Sequence, residues 1–283
     1  MFFEGCHDCG GPFLGESKML FNTKEGSVKI NDNSIDYVSF GRGKKPLVII
    51  PGLSLNRVKG AGLSLAYMYR IFAKDYRVYV FDRKEIIKEG YTIKEIAKDT
   101  ADVMKTLGVS EAYVFGVSQG GMIAQYLAID YPELVEKLVL GMTLSRKNET
   151  VKSVIEKWIQ FVQNNDLESF VEDMLLKIYS PQYIKKYRRL IPLMMKMSKN
   201  ADLNRFIILA KSCLTCDVYE ELHKITCPVL VLGGKQDKVV TGKASEEIAE
   251  KLKCEIYMYE ELGHAAYEEA KDFNKRIYSF LQK

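Results

Sequence analysis

Histidine is scarce in this chain, with three in 283 residues: His7, His223 and His264. Any chemistry that moves a proton near neutral pH therefore has few side chains to draw on. Long apolar runs are missing too. No stretch approaches the roughly 20 apolar residues that a membrane helix needs, so no membrane association is expected. The N-terminus has no basic segment leading into a hydrophobic one, which argues against secretion and makes the cytoplasm the expected location. A net charge of only +4, with no recognition motif, argues against a nucleic-acid partner. Cysteine numbers six, including the spaced pairs Cys6/Cys9 and Cys213/Cys216. A zinc site would need those pairs to meet from opposite ends of the chain. Cys213 and Cys216 flank Leu214 at a helix end, where cysteine behaves as a small apolar residue, so neither metal nor redox chemistry is expected there.

What remains is ordinary for a globular enzyme: 47% hydrophobic and 28% charged residues, in a length that suits one α/β domain with an insertion. Residues 1–18 carry Gly5, Gly10, Gly11, Pro12 and Gly15 without periodicity and read as an irregular extension before a body that starts at Met19. Ser27–Asn31 and Ser34–Phe40 form a hairpin pattern around Asp32-Asn33. Leu47–Ile50 and Arg77–Phe81 are strand-like. Thr92 and Glu95 make a capping box for a helix whose apolar face is Ile96, Val103 and Leu107 and whose end is Gly108. Ala112–Val117 is a buried strand, Gln119–Asp130 a helix closed by Pro132, and Val135–Leu140 another strand. Alternating strands and helices predict a mostly parallel sheet flanked by helices, an α/β fold.

The alternation stops after Gly141. Between Ser145 and Thr215 only helical spacing appears, with Val151, Val154, Ile155, Trp158, Ile159 and Val162 on one stripe and Phe170, Met174, Leu175 and Ile178 on another. The segment 145–215 is read as an all-helical lid between two parts of one core, 19–144 and 216–283. Met194, Met195 and Met197 are candidates for an adaptable pocket wall. The lid holds thirteen Lys and Arg against seven Asp and Glu, densest at Lys185-Lys186-Tyr187-Arg188-Arg189. Such a run is either a solvated helix face or a means of attracting an anionic substrate or an acidic carrier protein.

The most informative stretch is Gly116-Val117-Ser118-Gln119-Gly120. A strand that turns sharply into a helix strains the apex residue and pushes its side chain outward. Gly116 and Gly120 omit the Cβ atoms that would jam strand against helix. Ser118 then stands at a helix N-terminus, where free N–H groups favour developing negative charge. A base and an acid should follow in the order acid, then histidine. Asp237 lies just past the strand Pro228–Leu232 and its glycine pair, and His264 lies on the loop after the strand Cys254–Tyr259. The other two histidines are poorly placed. For an oxyanion, one N–H should come from Gln119 and another from Leu53, in the loop Pro51-Gly52-Leu53-Ser54-Leu55-Asn56.

On these motifs residues 27–283 resemble the α/β-hydrolase superfamily, in particular its lid-bearing esterases, lactonases and carbon–carbon bond hydrolases. The resemblance implies a triad of Ser118, Asp237 and His264, with the N–H groups of Leu53 and Gln119 as oxyanion donors and no metal or organic cofactor. Two departures stand out: Pro51 where the family usually has histidine, and Gln119 where methionine or leucine is frequent, which adds a polar group near the pocket wall. The expected activity is hydrolysis of a carboxylic ester, thioester or lactone on a small acyl substrate. Family members that take acyl groups from carrier proteins use a basic lid, which gives the charge pattern an analogue. Carbon–carbon bond hydrolysis of a diketone-like substrate, perhydrolysis, and a non-catalytic ligand-binding role are the alternatives. A dehalogenase would carry aspartate at position 118.

Overall fold

The computed structural model describes residues 21–190 and 201–283. The extension 1–18, with His7 and Cys6/Cys9, and the three methionines Met194, Met195 and Met197 lie outside the described residues. The described chain opens on an antiparallel hairpin, β1 (Lys24–Ile30) and β2 (Asn33–Phe40). Its turn is carried by Asn31 at φ 53°, one residue before the Asp32-Asn33 pair expected, because asparagine enters the left-handed region at little cost. There follow β3 (Lys45–Ile50), α1 (Gly62–Met68), β4 (Tyr76–Lys84), α2 (Ile93–Thr106), β5 (Ala112–Val117), α3 (Gln119–Asp130) and β6 (Val135–Gly141). The expected capping box forms at α2, where Thr92 accepts from the Glu95 N–H and Glu95 accepts from the Thr92 N–H, and Gly108 ends the helix with φ 66°.

Among the described residues only helices come next: α4 (Glu149–Gln163), α5 (Leu167–Ile178), α6 (Pro181–Tyr187) and α7 (Leu203–Cys213). The chain then returns to the sheet with β7 (Val229–Gly234), α8 (Gly242–Leu252), β8 (Glu255–Tyr259), α9 (Ala266–Glu269) and α10 (Phe273–Leu281). The eight strands lie in the order β1-β2-β4-β3-β5-β6-β7-β8, antiparallel at the hairpin end and parallel from β4 to β8.

The central strands are apolar on both sides because both faces are covered. In β3, Leu47 and Ile49 pack with α1 and α10 on one face, and Val48 and Ile50 pack with α2, α3 and α8 on the other. β4 runs three residues beyond the apolar stretch that ends at Phe81. Asp82, Arg83 and Lys84 are held there by polar partners rather than by apolar burial.

The helices between β6 and β7 share an aromatic core in which Phe170 stands edge-on to both Trp158 and Phe206, with centroids 6.1 and 5.1 Å away. Polar contacts bind this insertion to the core at several points. Arg205 of α7 donates to Asp82, Arg83 and Lys84 at the end of β4. At the α5–α6 junction, Ile178 O accepts from Ala265 N at 2.9 Å, Tyr179 donates to Glu268 at 2.8 Å, and Ser180 donates to Glu269. Cys213 and Cys216 are buried free thiols at the end of α7, and burial pushes the Cys213 thiol up to about 11. Among the described residues no helix is long and apolar enough to cross a membrane.

Candidate active site

Ser118 occupies the turn between β5 and α3 with φ 55° and ψ −122°, a conformation that costs an L-residue of order 1–3 kcal/mol. The surrounding backbone holds it there. Its N–H donates to Gly141 O of the neighbouring strand, and its carbonyl accepts from the N–H groups of Gly121 and Met122 and from the Thr143 hydroxyl. The turn works only because the helix approaches the sheet without side chains. A Cβ on Gly120 would lie 1.9 Å from Ile50 O, and one on Gly116 would lie 2.3 Å from Gly120 O. Both contacts are with backbone, which cannot swing aside. Gly120→Ala is accordingly expected to lower stability by about 3 kcal/mol through overpacking, read as a fall in the urea midpoint at unchanged slope.

His264 reaches this turn from the loop between β8 and α9. Its Nε2 is 3.0 Å from Ser118 Oγ, and its Nδ1 is 2.8 Å from Asp237 Oδ2. An ionised carboxylate only accepts, so Nδ1 carries the ring hydrogen and Nε2 is left to accept from the serine hydroxyl. Asp237 is fixed on its other oxygen, which accepts from the N–H groups of Val239 (2.7 Å) and Val240 (3.0 Å). Asp237 and His264 are buried and Ser118 is half-buried. The three residues singled out in the sequence therefore meet in one hydrogen-bonded chain. His223 sits apart on an exposed turn, bonded to Glu220 O at 2.7 Å. Among the described residues no group of three or more His, Cys, Asp or Glu side chains is arranged to hold a metal ion.

Gly52 brings the loop after β3 against the serine, since a Cβ built on it would lie 3.2 Å from Ser118 Cβ. Leu53, one residue further, and Gln119, which follows the serine, thus flank the same turn. The side chain of Gln119 ties the serine turn to its surroundings. It is wholly buried, with Oε1 accepting from Arg83 at 2.9 Å and Nε2 donating to Leu209 O of α7 at 2.7 Å. Arg83 itself was not singled out in the sequence. The available signal is strand alternation, which puts Arg83 on the same face as the buried Phe81 while Asp82 faces the other way.

The acid from the strand after the insertion and the base from the loop after the last strand follow the chain order of the alpha/beta hydrolase fold. The model of that family matches residues 45–271, and the chain belongs to it. A 3-oxoadipate enol-lactonase of Acinetobacter baylyi is 21% identical over 274 residues, covering 93% of this chain and 98% of that protein. Among solved structures, the enol-lactonase from Burkholderia xenovorans superposes with a TM-score of 0.80 at 20% identity, over 91% of this chain and 100% of the other. A thermophilic esterase from Thermogutta terrifontis gives 0.76 at 19% identity, over 92% and 98%. At such identities the structural likeness establishes the fold.

Proposed function

We propose that the protein is a serine hydrolase that cleaves a carboxylic ester, thioester or lactone through an acyl-enzyme on Ser118. The observation that carries this reading is the chain Ser118 Oγ–His264 Nε2 and His264 Nδ1–Asp237 Oδ2, at 3.0 and 2.8 Å, on a strained strand-to-helix turn. Ser118 Oγ attacks the carbonyl carbon as its proton passes to His264 Nε2. Asp237 stabilises the imidazolium that results. The carbonyl oxygen, now negative, takes hydrogen bonds from the N–H groups of Leu53 and Gln119. Collapse expels the alcohol, thiol or ring oxygen, which leaves with the proton from His264. Water then attacks the acyl-enzyme, gives its proton to His264, and releases the acid and the free serine.

The relatives' activities support an ester or lactone bond. The exposed cations Lys185, Lys186, Arg188 and Arg189, on α6 and the turn after it, support a small acyl substrate that is anionic or carried on an acidic protein. Within the insertion, α7 bonds through Leu209 O to Gln119 beside the serine, and the α5–α6 junction bonds through Ile178 O to Ala265 beside the histidine, contacts that support the lid role read from the sequence. A p-nitrophenyl ester series from about two to twelve carbons, in which each added methylene changes pocket binding by about 1–3 kcal/mol, tests the reading. Saturable hydrolysis with a chain-length optimum is expected. A wild type inert to every ester, thioester and lactone offered contradicts it.

A further inference from the structure

Arg83 is a buried cation that forms no ion pair with a carboxylate among the described residues. Its neighbour Asp82 points to the opposite side of β4, where it takes Arg205 at 3.0 Å, Arg57 at 3.1 Å and the Val58 N–H at 3.0 Å. The Arg83 guanidinium instead spends its hydrogen bonds on two neutral oxygens, Pro51 O at 2.5 Å and Gln119 Oε1 at 2.9 Å, both from the same Nη2. Nε has no partner among the described residues. Burial pulls the group down to about 10, which leaves it charged at neutrality. Placing an arginine here costs desolvation that an apolar side chain of similar volume avoids.

The two oxygens it holds are not arbitrary. Pro51 lies two residues before Leu53, and Gln119 carries the other N–H assigned to the oxyanion. Gln119 extends the connection, since its Nε2 donates to Leu209 O at 2.7 Å and to Ser212 Oγ at 3.2 Å on α7. Arg205, on the same helix, donates to Arg83 O at 3.2 Å. Pro51 and Gln119, the two positions where this chain departs from the usual family residues, are thus joined through one guanidinium.

We infer that Arg83 is a positioning residue: through Pro51 O and Gln119 Oε1 it sets the two backbone N–H donors of the oxyanion site and makes their setting depend on the seating of α7. The inference rests on the serine-hydrolase reading. With Arg83 gone, the loop 51–53 and the Gln119 side chain both lose their buried donor, and a small displacement of oxyanion donors is felt chiefly in the transition state. A positive charge in the same low-dielectric region adds to that stabilisation.

The test compares Arg83→Met, Arg83→Lys and Gln119→Met in the full chain. For each, kcat and KM on one turned-over ester, the affinity of an aryl boronic acid as transition-state analogue, and the thermal midpoint are measured. Arg83→Met is expected to lose about 100-fold in kcat, with KM within about threefold and boronate affinity falling in step with kcat. Arg83→Lys recovers about tenfold of that loss, and Gln119→Met falls by about tenfold. A lower midpoint with kcat per folded molecule and boronate affinity unchanged marks a purely structural arginine and overturns the inference. So does a rise in KM alone. If Arg83→Met does not fold, Gln119→Met decides by the same two readouts. A wild type that neither hydrolyses esters nor binds the boronate overturns the hydrolase reading and this inference together. A wild type active only while Ser118 is present, with insensitive Arg83 and Gln119 variants, overturns this inference alone.

Discussion

Replacing Ser118 with alanine is expected to reduce ester turnover by about 10⁴ to 10⁶-fold while leaving the protein folded. The size of the effect follows from the division of labour at the turn. The strained residue is held through its own backbone: its N–H donates to Gly141 O, and its carbonyl accepts from the N–H groups of Gly121 and Met122 and from the Thr143 hydroxyl. The side-chain oxygen, by contrast, is bonded to His264 Nε2. Alanine keeps the first set and deletes the second, so stability should move by less than about 1 kcal/mol. Denaturant unfolding of the variant beside its turnover checks both halves. Loss of turnover that comes with loss of fold would leave the serine's role undecided, so the two belong in one experiment.

The second large effect is expected at Asp237. Asparagine has the shape of aspartate but presents both an acceptor and a donor. Its oxygen will stay where Oδ1 now accepts from the N–H groups of Val239 and Val240, because turning the amide over would set its NH₂ against two donors. The NH₂ is then left facing His264 Nδ1. That nitrogen must become an acceptor, which moves the ring hydrogen to Nε2, where it points at the serine hydroxyl and blocks its deprotonation. Asp237→Asn should therefore lose about 10⁴-fold in kcat at neutral pH with the fold retained. A loss below about tenfold would mean that Asp237 does not set the tautomer. Steady-state kinetics beside circular dichroism reads the outcome.

Much of this site was legible because its signals are local. Gly116, Ser118 and Gly120 fall within five residues, and the tightness that requires the two glycines is written in the strand-to-helix spacing. Asp237 and His264 each follow a recognisable strand, and His264 lies on a glycine-opened loop while His223 falls on a predicted helix end, which is enough to choose between them. Thr92 and Glu95 set the start of α2 in the same local way. What was not legible depends on contacts between distant residues. The Gln119 side chain lies between Arg83 and Leu209, partners 36 and 90 residues away in the chain. The end of β4 was missed for the same reason, since Asp82 and Arg83 belong to the strand through partners on α7 and in the loop after β3. No period or propensity encodes such pairs. Nor does any local pattern show that Ile178 of the insertion bonds to the residue following His264.

Covalent labelling with a fluorophosphonate, followed by mapping of the modified peptide by mass spectrometry, reads out the nucleophile itself. A single adduct on Ser118 is expected in the wild type, abolished in Ser118→Ala and strongly slowed in Asp237→Asn. A folded wild type that takes no label, or takes it at another residue, contradicts the assignment of Ser118 as the nucleophile.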